Sequence, residues 1–378
     1  MSEMSFDQRP AVVFVDDARW YSFLQLAAIL RRAGFRTVRV SVGRAMWRPE
    51  NLLFSRNVFL AAPPSPEQLA EILAKENVVD LQPTERLAQT SYSALDLLPQ
   101  RQRSDIWAGR STILDKLNNA TFFRELGLRT PESLPVELTP VNEAVARLSL
   151  PIVLKRRIGS SGSSVKIFTS PEELREYVAA IESPDEWLYE QFIPGRSFVY
   201  AACVSDEGID VIAVYKVLER EHLSGPSSVM EFQTDPRLME TGRTLIEALH
   251  IRGLICFDII RDSNDVDWIH DVNPRVFGGL TTCQLAGFDF RGAYLRCLGV
   301  GVDVQTSPPD TPNSVSFGFP EGKKDLLRSA PYRVSWVRTL RWIWSHWRLL
   351  GSRYFLVFII DRPVTASRRF FNRSEHQR

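Results

Sequence analysis

Residues 254–275 read LICFDIIRDSNDVDWIHDVNPR, two arms alternating apolar and polar residues around a polar centre. That pattern predicts a β-hairpin turning at 262–265. Side chains two apart in a strand point the same way. Asp271 and Asn273 therefore share a face, and a tight turn puts Asp258 roughly across from one or the other. Two carboxylates and a carboxamide on one sheet face make an oxygen-rich cluster. Carboxylates that close repel unless a cation sits between them, and hard oxygen donors suit Mg²⁺. Taken alone, the same residues also fit solvent-facing strand positions ahead of a turn at Pro274. Arg275 follows at once, then Gly278-Gly279. An arginine here can clamp a carboxylate or phosphate bidentately, or make a surface salt bridge. His270 alternates away from Asp271 and reads as a packed strand residue rather than a base.

Upstream, LKRRIGSSGSSVKIF (154–168) sets Lys155 in an apolar arm, where an unpaired ammonium is costly. An anionic partner or snorkelling to the surface resolves that cost. The loop after it, Gly159, Ser160, Ser161, Gly162 and Ser163, offers backbone N–H groups and hydroxyls that can fold over phosphates. By composition alone it also fits a flexible linker.

The rest of the chain supplies the frame. At 378 residues it has room for two or three domains. A fully apolar run at 11–15, a helix over 23–33, a strand at 36–42, a helix over 66–75 and a strand at 78–81 predict a parallel α/β layer. No G-x-G-x-x-G follows the first strand, so a dinucleotide site is not expected there. From residue 111 the texture changes to helices followed by antiparallel hairpins. Strands at 151–157 and 164–168 precede a helix over 171–181, with Ser170 at its N-cap and Pro171 at its first position. Further strands lie at 187–193 and on either side of SDEGID, with a helix over 236–250 before the last hairpin. The fold class is thus α/β and α+β. The domains are a Rossmann-like unit (1–110), an α+β body (111–320) carrying an inserted lid at about 133–195, and a C-terminal extension (321–378).

These pieces occur in a specific order: Lys116 before a helix, Lys155 before the Gly/Ser loop, YEQFIPG, then FD…HDVNPR. In this order the chain resembles the ATP-grasp superfamily over residues 112–299, the NPR element being the most specific. The resemblance implies an ATP-grasp architecture with a pre-ATP-grasp domain, a lid and an antiparallel body. It implies that Lys116 and Lys155 contact ATP phosphates, that Gly159–Ser163 closes over them, and that Glu190, Gln191, Phe192 and Ile193 receive adenine along their backbone. It assigns Asp258, Asp271 and Asn273 to two Mg²⁺ ions, for which Mn²⁺ can substitute, and Arg275 to substrate or the developing phosphate. Lys216, on the strand before HLSGPSSVMEF, is a candidate γ-phosphate contact, and residues 222–232 a candidate wall of the acceptor site. The implied activity is ATP-dependent ligation of a small-molecule carboxylate to an amine through an acylphosphate, with Lys155 and Arg275 as the catalytic pair. The alternatives are a nucleotide-binding scaffold without turnover, or an enzyme with a thiol or carrier-bound acceptor. Two departures bear on this: both metal-site acids are Asp where the family often has Glu, and Ser197 stands where many members place a ribose-binding acid. Arg156 and Arg157, after the lysine, either add phosphate contacts or face solvent, and solvent is expected.

A formal net charge of +1 gives no argument for nucleic acid, but its distribution is uneven. From residue 321 onward there are 13 Lys/Arg against 4 Asp/Glu, a net of +9. Within that extension Trp336, Leu340, Ile343, Trp347 and Leu350 recur at steps of four and three, a helical stripe. The stripe is expected to pack on the body; a basic, Trp-rich helix also suits an anionic membrane or a carrier-bound acceptor. The ending with Asp361-Arg362-Pro363 resembles the tails of carbamoyl-phosphate-synthase-like ATP-grasp proteins. Cys203, Cys256, Cys283 and Cys297 form no C-x-x-C pair, and the N-terminus has no apolar core. Both features suit the cytoplasm. A homodimer stays open.

Overall fold

The computed structural model describes residues 9–17, 20–43, 48–98, 113–159, 164–220, 227–305, 315–318 and 336–360. Strands β1 (Ala11–Asp16), β2 (Arg36–Val42), β3 (Arg56–Leu60) and β4 (Val78–Pro83) form a parallel sheet in the order β3-β2-β1-β4. Every residue of β1 is buried, as a strand covered on both faces requires. Helices Tyr21–Arg32 and Glu85–Asp96 lead away from the carboxyl ends of β1 and β4.

A second sheet, antiparallel, is the lid. It contains β5 (Ser133–Pro135), β6 (Ile152–Arg156), β7 (Lys166–Phe168) and β8 (Trp187–Gln191) in the order β5-β8-β6-β7. Helices Val141–Leu148 and Pro171–Ala179 cover it around a separate core that includes Leu154, Leu174 and Tyr189. Ser170 caps the second of these helices through Oγ, which accepts from the Glu172 and Glu173 N–H groups, and Pro171 takes the first position.

The third sheet is the scaffold of the site. It comprises β9 (Gly195–Ser205), β10 (Gly208–Arg220), β11 (Ser227–Gln233), β12 (Gly253–Asp262), β13 (Asp267–Asn273) and β14 (Val315–Phe317). The strands are antiparallel in the order β13-β12-β9-β10-β11-β14. One face, with Val199, Ala201, Tyr215 and Cys256, shares a continuous apolar core with the parallel sheet. The other, with Phe198, Tyr200, Phe257 and Ile259, packs on helix Pro236–Leu249 and on Phe123. All four cysteines are buried free thiols.

Two expectations change. Residues 222–232 are not all loop: 227–233 form β11, paired with β10, because Val229, Met230 and Phe232 have apolar neighbours to bury against. The serines at the start of the stretch hid that alternation; residues 222–226 lie outside the described set. In the extension, helices Trp336–Leu350 and Ser352–Ile360 dock by a face that takes in Leu350 at the end of the stripe but not its Leu340, Ile343 and Trp347. Trp342 donates from Nε1 to the Phe317 carbonyl at 2.9 Å, and His346 lies against its ring. Leu350, Tyr354 and Val357 enter the core shared with the parallel sheet. The stripe's Leu340, Ile343 and Trp347 remain 52, 39 and 44% exposed. Asp361-Arg362-Pro363 and the side chains of Trp336 and Arg338 lie outside the described set.

Gly242, inside helix Pro236–Leu249, faces the Tyr200 ring so closely that a Cβ would overlap it. Tyr200 is fully buried and stacked on Phe257 at 5.3 Å, so it cannot retreat. Gly→Ala inside a helix ordinarily stabilises by about 1 kcal/mol. Here we expect Gly242→Ala to destabilise by about 1–3 kcal/mol through overpacking, read as a lower midpoint in urea unfolding.

Candidate active site

The hairpin of β12 and β13 pairs Asp258 directly with Asp271, and Cys256 with Asn273. The next pair is Ile259 with Ile269, so His270 is an extra residue on its strand, a β-bulge. The bulge turns Ile269 to the face opposite Asp271, so that Asp258, Asp271 and Asn273 share one face while Ile259 and Ile269 join the apolar core on the other. It also turns the His270 carbonyl outward, where it accepts a hydrogen bond from Lys155 Nζ at 3.1 Å. Desolvation, reinforced by the Lys155 charge, pushes the His270 imidazole down to about 3, so the ring is neutral.

Around this face the lysines converge. Lys116 opens helix Lys116–Glu125, whose N-cap Asp115 accepts from the Leu117 N–H at 2.9 Å. Its Nζ contacts Asp271 Oδ1 at 3.0 Å and donates to the Gly159 carbonyl at 3.1 Å, joining the hairpin to the base of the Gly/Ser loop. Lys155 on β6, 4% exposed, pairs with Glu190 of β8 at 2.6 Å. The anionic partner expected for a lysine in an apolar arm is thus Glu190. Burial raises the Asp271 carboxyl, but Lys116 and Lys155 outweigh it and hold the group below its ordinary range. Burial raises the Glu190 carboxyl against the pull of Lys155, and pushes Asp258 up to about 6. Arg220, at the end of β10, approaches Asp258 at 3.9 Å.

Arg275 closes the far side. It donates from Nε to Glu85 Oε1 at 2.5 Å, from Nη2 to Asn273 Oδ1 at 3.1 Å, and from Nη1 to the Val276 carbonyl at 2.9 Å. Its guanidinium lies 4.5 Å over the Trp20 ring. Glu85 starts the helix after β4 and Trp20 caps the helix after β1, so the parallel sheet presents both at the carboxyl ends of adjacent strands. Such ends, where the strand order reverses, are the usual ligand crevice of open α/β sheets. Glu85 Oε2 is buried with no hydrogen-bond partner.

Lys116, Lys155, Glu190, Asp258, Asp271, Asn273 and Arg275 are therefore brought together in one network. Lys216 is not. In register it neighbours Phe198 and, beyond it, Ile259, on the face opposite Asp258. Gln191 ends β8, its N–H held by the Glu132 carbonyl at 2.9 Å, while Phe192 and Ile193 lie past the last ladder pair. Ser160, Ser161, Gly162 and Ser163 lie outside the described set. Arg156 pairs with Glu186 at the surface, whereas Arg157 clamps Asp115 and so ties the lid to the start of the Lys116 helix. Glu85, Trp20 and Arg220 were not signalled by the sequence; PTER, after a strand and before a helix, is the trace Glu85 leaves.

The donor set fits a hard divalent cation at Asp258 and Asp271. Among the described residues no three His, Cys, Asp or Glu side chains group to cage a metal. A Mg²⁺ ion there would take its other ligands from phosphate and water, its usual habit. Asn273 presents its nitrogen to Asp258 at 3.5 Å and its oxygen to Arg275, so its amide must turn over before the oxygen can serve a metal.

The four-stranded and six-stranded antiparallel sheets thus meet at a cluster of lysines and carboxylates. Residues 113–279 match the family model described as the ATP-grasp domain. It is 25% identical over 209 residues to an N5-carboxyaminoimidazole ribonucleotide synthase of Synechococcus elongatus, covering 51% of each chain. It is also 25% identical over 211 residues to a D-alanine–D-alanine ligase of Pseudomonas fluorescens, covering 50% of this chain and 64% of the ligase. The match thus spans about half to two thirds of the length of these relatives. A crystal structure of carboxyaminoimidazole ribonucleotide synthase from Aspergillus clavatus, complexed with ATP, superposes with a TM-score of 0.67 at 14% identity. That match covers 86% of this chain and 87% of the other, so the likeness extends beyond the ATP-grasp domain to the parallel sheet.

Removing one partner of a buried ion pair strands the other charge. Glu85→Ala is expected to destabilise the protein by about 3–5 kcal/mol, measured by urea unfolding. Glu85→Ala combined with Arg275→Met should recover most of that loss.

Proposed function

We propose that the protein is an ATP- and Mg²⁺-dependent ligase that joins a small-molecule carboxylate to an amine through an acylphosphate. The observation that carries this reading is the convergence of Lys116 and Lys155 on the face where Asp258 and Asp271 stand opposite each other. In the free protein each ammonium is already engaged by a carboxylate, Asp271 or Glu190. Arriving phosphate oxygens compete for the same donors, and the acids are released towards a cation.

In the reaction a carboxylate oxygen attacks the γ-phosphorus, and the bond to the ADP oxygen breaks. The amine then attacks the acyl carbon, inorganic phosphate leaves and the amine loses a proton. Such chemistry is promoted mainly by positioning and charge neutralisation. Bound Mg²⁺ supplies neutralisation of the phosphate oxygens. Lys116 and Lys155 hold the phosphates from the helix and lid sides. Asp258 and Asp271 would hold the cation, with Asn273 as a further oxygen donor once its amide has turned. Arg275, fixed by Glu85, Asn273 and Trp20, offers its cationic edge to the substrate carboxylate or the transferred phosphoryl group. Phe192 and Ile193, beyond the β8 ladder, suit the adenine edge. Four buried free thiols support a reducing, cytoplasmic setting.

A panel of carboxylates with ATP, Mg²⁺ and hydroxylamine tests the reading, because hydroxylamine traps an acylphosphate as a hydroxamate. We expect a hydroxamate with at least one carboxylate. Lys155→Ala and Asp271→Ala should each lower ADP formation by about 100-fold or more while the protein stays folded by circular dichroism. Undiminished turnover in both variants would refute the assignment, as would ATP binding with no hydroxamate from any carboxylate.

A further inference from the structure

The helix Trp336–Leu350 has two unlike sides. One, with Trp342, His346 and Leu350, is docked on the body. The other carries Val337, Leu340, Ile343, Trp344 and Trp347, which recur at three- and four-residue steps and so share a face. Trp344 is 53% exposed and Trp347 44%. Leu356 on the following helix is also exposed. Large apolar side chains gathered on one outward face call for a partner.

The charges around this face identify the partner's chemistry. Helices Trp336–Leu350 and Ser352–Ile360 contain four arginines and no acid. Arg341 and Arg348 are exposed, seven residues apart on one edge of the apolar face, and Arg348 sits 4.8 Å over the Trp344 ring. At the turn between the helices, Arg32 of the first domain reaches Gly351, and Arg353 is exposed beside it. A second copy docked through the same face would bring another arginine-edged, acid-free surface against it. The neighbouring stretches 319–335 and 361–378 carry net charges of +2 and +3, so they do not complement the face either. No described helix is long and apolar enough to cross a membrane. A helix lying in the interface plane needs only a shallow apolar face, aromatic residues at headgroup depth and flanking cations.

We propose that the outward face of helix Trp336–Leu350 is a docking surface for an anionic lipid bilayer, with Trp344, Trp347 and Leu340 entering the interface and Arg341 and Arg348 engaging the headgroups. The docking is reversible and independent of the reaction at the ATP-grasp cleft. It holds the body of the protein against the membrane through a helix that is itself fixed to the folded core.

The test is co-sedimentation of the full chain with vesicles of phosphatidylcholine alone or mixed with phosphatidylglycerol. The wild type should sediment with the mixed vesicles and far less with phosphatidylcholine. Trp344→Ser/Trp347→Ser should weaken that binding at least about tenfold, from the lost burial of two indoles. Arg341→Gln/Arg348→Gln should weaken it about 30-fold at low salt, with the difference shrinking as salt rises. Thermal unfolding checks that both variants keep the wild-type fold. Equal binding to both vesicle types would overturn the proposal, and so would full binding by the tryptophan variant. A wild-type dimer that the tryptophan variant converts to monomer, without any vesicle binding, would assign the face to a second copy instead.

Discussion

Two carboxylates set opposite each other in a hairpin are an electrostatic problem that the surrounding structure has to solve. Unit charges roughly 5 Å apart repel by about 3 kcal/mol at an effective dielectric of 20. Asp258 and Asp271 occupy such a pair on a largely apolar sheet. The rest of the site follows from how that repulsion is balanced. Asp271 is held charged by Lys116 and Lys155, while burial, opposed by the more distant Arg220, pushes Asp258 up to about 6. The pair is therefore asymmetric: the protein sets two ammonium groups against Asp271 and a more distant guanidinium against Asp258.

This balance also explains why residues from every part of the chain meet here. Lys116 comes from the helix before the lid, Lys155 from the lid sheet, Arg275 from the end of the hairpin and Glu85 from the parallel sheet. The two lysines and the arginine are cations with their own counter-ions, Glu85 being that of Arg275. The result is a chain of alternating charge that crosses all three sheets without leaving a lone buried charge. The β-bulge at His270 contributes a backbone carbonyl to it, which no side-chain inventory would reveal.

Much of this was legible because it is local. The i, i+2 rule and a short turn were enough to bring Asp258, Asp271 and Asn273 onto one face, and the apolar run of β1 announced a strand covered on both sides. What escaped was tertiary. Glu85 and Arg275 are 190 residues apart, and nothing in PTER says which arginine it meets. The edge strand β3 is only half-buried, and its apolar run Val58-Phe59-Leu60 is too short to tell strand from helix. Lys216 sits one residue out of phase with the site, a distinction that only the strand register makes. In the extension, periodicity found an apolar stripe but not the docking face. Trp342 and His346 dock through a hydrogen bond and ring packing, which a hydrophobic pattern does not weigh.

The lid differs from the rest in how it is attached. Its core is its own, whereas the parallel sheet, the body sheet and the C-terminal helices share one. Its first and last strands pair with each other, Ser133 with Glu190, so the segment leaves the body and returns to it at neighbouring points. An insertion whose ends already lie side by side adds little loop-closure entropy to its host. The lid is thus a cassette. It could be exchanged for that of a relative, or varied in length between its helices, with the body folding around the same two junctions, provided the replacement restores a lysine–glutamate pair and a guanidinium to grip Asp115.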